Sequence, residues 1–255
     1  MNNNFRKILL ATLFLLTASL SHAAETVKWG YEGNEGPLFW ADLSPDFSLC
    51  RSTDQSTQSP VDISTYAKSD LGKIRFDYKK EIVRVINNGH TLEFITSDKS
   101  SITVAGKKYT LVQFHFHTPT EHTIKGKPLD MVIHLVHKAA DGQLAVIAVL
   151  MKKRKKGNKL LDRLFAYFPG TVDEEVVIAS AKYNPEKLLP EETEKYYNYS
   201  GSLTTPPCSE GVNWLVMAKS SKVSMAVYDK FHSTFHNNVR PVQPLNGREI
   251  ILNKD

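Results

Sequence analysis

Between His90 and Met151 the chain is cut into five short runs rich in β-branched and aromatic residues. They are "HTLEFIT" (His90–Thr96), "SITVAG" (Ser101–Gly106), "YTLVQFHFH" (Tyr109–His117), "MVIHLVH" (Met131–His137) and "LAVIAVLM" (Leu144–Met151). Such runs, broken by turn residues, suit pleated strands and leave little room for long helices. "KAADGQ", between the last two, carries Asp141-Gly142, a tight-hairpin signal. "VNWLVMA" (Val212–Ala218) predicts a later strand. Helical spacing is confined to two segments. In "NKLLDRLFAYF" (Asn158–Phe168), Leu160, Leu161, Leu164, Phe165 and Phe168 share a face, and Pro169-Gly170 is a stop. In "SMAVYDKFHSTF" (Ser224–Phe235), Ser224 is a candidate cap and Tyr228, Phe231 and Phe235 align. The segments before Trp29 and after Pro241 read as irregular. The expectation is one mixed domain dominated by a central sheet, with helices at its periphery.

The first residues stand apart from this pattern. Arg6 and Lys7 precede the apolar "ILLATLFLLTASL", which is short for a membrane span, and "SHA" (Ser21–Ala23) is a small-x-small cleavage site. This predicts a secretory signal peptide over residues 1–23, with Ala24 the neighbouring cleavage point and no membrane span in the mature form. Residues 24–255 are then one large domain. Of the net charge of +5, Arg6 and Lys7 supply two, so the mature chain is only mildly basic. The run "KKRKK" (Lys152–Lys156) reads as a solvated loop, because no aromatic interleaves the charges, and no nucleic-acid partner is expected. In an exported chain the two cysteines, Cys50 and Cys208, suggest a disulfide, with two free thiols as the alternative.

Three of the nine histidines fall within "QFHFHTPTEH" (Gln113–His122). Strand side chains alternate faces, so His115 and His117 project together and Phe116 turns away. Two imidazoles in reach of one point are half of a zinc site, which takes three or four ligands. His134, in the neighbouring run, is the candidate third. His137 faces the other way on the same strand, and His122 lies beyond Pro119, off it. A lone histidine would read as an ordinary core or surface residue; the three together point to metal. Three histidines with an open fourth position form a catalytic pattern.

Taken in order, "WGY" (Trp29–Tyr31), "QSPVDI" (Gln58–Ile63), "NNGH" (Asn87–His90), "QFHFH" (Gln113–His117), "EH" (Glu121–His122), "HLVH" (His134–His137), "GSLTTPPC" (Gly201–Cys208) and "RPVQPLNGR" (Arg240–Arg248) resemble the motifs of the α-class carbonic anhydrases, in the form exported by bacteria. The resemblance spans essentially the whole mature chain. It implies an α+β, mostly β domain with a large twisted, mainly antiparallel sheet and zinc at the base of a conical cleft. It implies reversible hydration of carbon dioxide to bicarbonate and a proton, with Zn2+ as cofactor. It assigns His115, His117 and His134 as ligands, with Gln113 orienting His115. Thr204 and Glu121 would orient the zinc-bound hydroxide that attacks CO2, Thr205 would touch bicarbonate, and His90 would shuttle the proton to buffer. Tyr31 and Asn88 would order cleft water; Val136, Val146, Leu203 and Trp214 would form the apolar wall. Sulfonamide or anion inhibitors at the open position, a periplasmic location and a candidate homodimer complete the expectation, although no apolar patch in the sequence argues for a dimer.

One position departs from the pattern. Family members usually carry a glutamate two residues before the third histidine, to accept the outer N–H of that ring; here it is Val132. Water, a backbone carbonyl or Asp130 are the candidate substitutes. Glu93 also stands where vertebrate members often have a small amide. Two other function classes compete. A non-catalytic binding domain is disfavoured because all three histidines, Thr204 and Glu121 are present. An esterase is disfavoured because no pocket for a larger substrate is readable.

Overall fold

The computed structural model describes residues 27–254. The predicted signal peptide lies outside them. The chain enters through short 3-10 turns and α1 (Trp40–Leu43), then β1 (Asp62–Ile63), β2 (Ala67–Ser69) and β3 (Arg75–Asp77). There follow β4 (Glu81–Asn87), β5 (Leu92–Ile95), β6 (Ser101–Val104), β7 (Lys107–His117), β8 (Thr123–Ile124), β9 (Met131–Lys138) and β10 (Leu144–Arg154). The remainder is α2 (Lys159–Leu164), β11 (Glu175–Tyr183), β12 (Tyr196–Ser202), β13 (Glu210–Met217), β14 (Ser221–Ser224), α3 (Met225–His232) and β15 (Ile251–Asn253). One large sheet runs through the molecule in the order β11-β4-β5-β7-β9-β10-β13-β12-β15-β2. Most neighbours are antiparallel; β10 pairs with β13 and β14, and β15 with β2, in parallel.

The expected strands are present. The hairpin joining β9 to β10 turns where Gly142 takes φ 88°, closed by the Gly142 N–H to Ala139 O at 3.0 Å. Asn158 caps α2 and Ser224 caps α3 through side-chain oxygens that accept backbone N–H groups. Two expectations change. Lys152–Arg154 is not loop: it continues β10 by pairing with β14, beyond the point where the β9 ladder ends at Met131↔Met151. The tail beyond Pro241 is not wholly irregular, since β15 sits between β12 and β2.

The sheet divides the interior. Phe114 and Phe116 of β7 and Ile133 and Leu135 of β9 point to one face, into a large core with Leu161 of α2 and Phe231 of α3. Val132 and Val136 of β9 and Val146 of β10 point to the other, with Trp214 and Tyr199. This second face has no helical cover from α2 or α3, and it carries the histidines.

Candidate metal centre

The register of β7 against β9 places His115 directly opposite His134 and His117 opposite Val132. Cross-strand partners on one face bring their side chains together. Candidate ligand atoms of His115, His117 and His134 all lie within 4.8 Å of one another. The outer contacts of the first two rings set their tautomers. His115 Nδ1 lies 2.8 Å from Gln113 Oε1, and His117 Nδ1 2.6 Å from the Asn238 carbonyl. Both oxygens only accept, so each Nδ1 carries the hydrogen and each Nε2 keeps its lone pair. The Nε2 of His117 is buried and without a hydrogen-bond partner. A buried lone pair with no protein partner, beside two other imidazoles, fits a divalent cation. Burial, with the charge of His117 second, pushes the pKa of His115 and His134 down, which keeps them in the neutral form that ligates.

His134 differs from its partners. Its Nδ1 stands 3.7 Å from Glu121 Oε2, on the side of His117, whose Nε2 is 3.6 Å from the same oxygen. Its Nε2 is buried and has no partner. Asp130 does not serve it: that carboxylate accepts the Lys153 backbone N–H at 2.7 Å and does not reach His134 Nε2. Val132, fully buried on the same face, offers nothing. His122 is in a similar position. Its Nε2 is 2.6 Å from Tyr199 Oη, its Nδ1 is unpartnered, and its ring lies 6.2 Å from that of His134.

Glu121 is held at the edge of the cluster. Its Oε1 accepts the Arg240 backbone N–H at 3.0 Å. Burial raises its pKa, opposed by the charge of His117, the Arg240 N–H and the Thr204 hydroxyl. Thr204 is buried and follows Leu203, whose N–H is bonded to Ser209 O at 2.9 Å in the tight loop around Thr205. Cys208, on that loop, forms a disulfide with Cys50. The Arg240 guanidinium ties the same region together, donating to Gln58 Oε1, Ser59 O and Cys50 O at 2.7–2.8 Å. The apolar residues Val136, Val146 and Trp214 form one buried cluster, with Leu203 packed against it.

His90 is half-buried and stacks on Trp29, with ring centroids 3.7 Å apart and planes 5° from parallel. Burial lowers its pKa. Asn88 uses its Oδ1 on the N–H groups of His90 and Thr91, so it builds the turn that carries His90. Tyr31 is 6.4 Å from the His90 ring, and its hydroxyl is buried without a partner. Glu93 has its pKa raised by burial. Two contributors escaped sequence reasoning. Trp29 was read only as motif, and Asn238 not at all. The Asn238 side chain donates to His90 O and Phe116 O, each at 3.0 Å, and accepts from the Thr118 N–H. It thus joins the His90 turn to the ligand strand. Its one sequence signal is the Asn237-Asn238 pair, separated from Arg240 by Val239.

Comparison with known proteins gives a consistent result. The family model for eukaryotic-type carbonic anhydrase matches residues 35–254. A carbonic anhydrase of Pectobacterium carotovorum is 40% identical over 240 residues, covering 94% of this chain and 96% of the relative. One from Neisseria gonorrhoeae is 40% identical, covering 95% and 96%. Among solved structures, the α-carbonic anhydrase of Thermovibrio ammonificans, in complex with the inhibitor sulfanilamide, superposes with a TM-score of 0.84 at 39% identity, covering 89% of this chain and 99% of its own.

Proposed function

The chain belongs to the eukaryotic-type, or α-class, carbonic anhydrases, and from that premise we propose how its own residues divide the zinc-dependent hydration of carbon dioxide. The observation that carries the reading is the gathering of His115, His117 and His134, with His117 Nε2 buried and without a protein partner. These three would hold zinc. When bound, zinc is a Lewis acid that makes hydroxide accessible near neutral pH.

The remaining chemistry belongs to side chains. The ionised Glu121 can only accept, so the Thr204 hydroxyl gives its proton to Glu121 and keeps its oxygen free as an acceptor. That oxygen orients the attacking nucleophile toward the carbon of CO2. Val136, Val146, Leu203 and Trp214 offer the gas an apolar wall, and Thr205 contacts the bicarbonate product. Gln113 and Asn238 hold the first two rings in the ligating tautomer. His90 takes the released proton to buffer, its ring held flat against Trp29; a titrating imidazole suits the task. Tyr31 orders water on the route. Sulfonamides, as in the Thermovibrio relative, would block the same centre. Residues 1–23 direct export to the periplasm, and 24–255 form the catalytic unit. The Cys50–Cys208 bond supports an oxidising compartment.

The test is metal content together with proton release on adding CO2. We expect one zinc per chain and rapid hydration, both lost in His115→Ala. A His115→Ala protein that hydrates CO2 at full rate would sink the assignment. His90→Ala should be slow in weak buffer and recover with added imidazole; unchanged turnover would remove His90 from the proton route.

A further inference from the structure

The helix-covered side of the sheet, opposite the histidines, carries charge that the reaction does not use. A groove of about 650 Å³ beside α2 and α3 is lined by Lys155, Lys156, Lys159 and Lys230, with Asp162 its one carboxylate. Asp162 is engaged, accepting from the Ser224 hydroxyl at 2.6 Å. A second groove of about 580 Å³ is lined by Lys80, Lys159, Arg163, Lys182 and Lys187, and by no carboxylate. A third, of about 410 Å³, shares Arg163 and Lys182. Lys159 joins the first to the second. The three form one track along α2.

Among the described residues, Lys80, Lys155, Lys156, Lys159, Lys182 and Lys187 make no ion pair, although six other cation–carboxylate pairs are formed elsewhere on the surface. Glu186, next to Lys187, has its carboxylate turned to Asn184. The floor of the track is apolar and fixed: Leu160, Phe165, Tyr183 and Val227 all belong to the core on this side. Unpaired like charges held around concave grooves repel one another and concentrate anions.

We propose that this track is a docking site for a linear phosphate polymer. Its shape selects the class. A single small anion would use one groove, whereas a flexible chain reaches cations in all three. Most of the cations are lysines, compact point charges that suit dense phosphate without demanding a planar partner. Of the aromatic rings lining the grooves, Phe165 and Tyr183 are buried and only Tyr167 is half-buried, so successive nucleic-acid bases have no run of rings to stack on. The exposed cations follow a path along α2 rather than a broad plane, which suits a chain more than a flat lipid surface. Docking would leave the catalytic face open.

The probe is fluorescently labelled inorganic polyphosphate, titrated into the whole mature protein across a range of salt. We compare the triple variant Lys159→Gln, Arg163→Gln, Lys182→Gln with a control triple on other surfaces, Lys68→Gln, Lys125→Gln, Lys127→Gln. The track variant should bind at least about tenfold more weakly, and its log–log salt slope should fall by about 2, at roughly 0.7 per lost phosphate contact. Its CO2 hydration should be unchanged, which shows that it is folded. Equal losses in both triples, or no binding by the parent protein, would overturn the proposal. So would tighter binding of single-stranded oligonucleotide or of phosphatidylglycerol vesicles than of polyphosphate.

Discussion

At the scale of single residues, Val132 is the most consequential position. Zinc held by His134 through its inner nitrogen requires the outer N–H to be buried with no acceptor. Val132→Glu supplies one. Chelator competition should show zinc held about 10–100-fold more tightly in that variant, the usual scale for an outer-ligand hydrogen bond; equal affinities would count against it. Under the proposed division of roles, Thr204→Ala would remove the orienting oxygen while leaving the ligands in place. Hydration should drop by about a hundredfold with zinc content unchanged, as a misplaced nucleophile costs. His122 and His137 carry a pH signature. Burial holds both near pKa 3, far below the ordinary 6.5. Below about pH 6.5 the unfolded chain takes up protons that the native chain refuses, so stability is full above that value and declines as pH falls toward about 3. Urea midpoints at pH 7.5 and 5.5 should therefore differ in the parent. The difference should shrink in His137→Gln, which cannot titrate. The ligand pair on β7 was legible because one intervening phenylalanine fixes the geometry. Asn238 was not, because a loop residue acquires its bonds only from the fold.

Among the elements, β7 and β9 were readable because they are runs of β-branched, aromatic and other apolar residues bounded by turn residues. β4, β11 and β12 were not predicted. "EVVIASAKY" of β11 is exposed at alternate positions at the sheet edge, and "YYNYSGS" of β12 hides its strand character behind polar residues. The basic run was misplaced for a related reason: at the end of β10 the backbone continues its ladder while the side chains are solvated, and charge alone does not break a strand. Gly201 shows what β12 requires. A Cβ there would lie 2.1 Å from Ser59 Oγ and 2.7 Å from Trp214 Cδ1. Gly201→Ala should cost about 1–3 kcal/mol in chemical denaturation, the usual scale of overpacking, and disturb the wall that Trp214 forms. An unchanged midpoint would show that the Ser59 loop yields freely.

For the whole molecule, the Cys50–Cys208 bond links positions 158 residues apart and so constrains most of the unfolded chain. The chain-entropy estimate is about 5 kcal/mol, an upper figure. Reduction should lower the denaturation midpoint sharply while the folded fraction keeps its zinc. The bond also fastens the loop bearing Thr204 to the segment held by Arg240, so loss of hydration at temperatures where the sheet persists is the expected early sign. Overall architecture was legible from motif order and strand runs; the division into a histidine face and a cationic face was not, since it depends on which side α2 and α3 cover.

The pairing of His115 with His134 has one more consequence. Side-chain direction reverses at every residue along a strand, so a slip of β7 by a single position would send both of its imidazoles into the aromatic core and bring Phe114 and Phe116 out in their place. A metal at this centre would therefore inspect assembly rather than template it: the site would be complete only after β7 and β9 have agreed on their alignment.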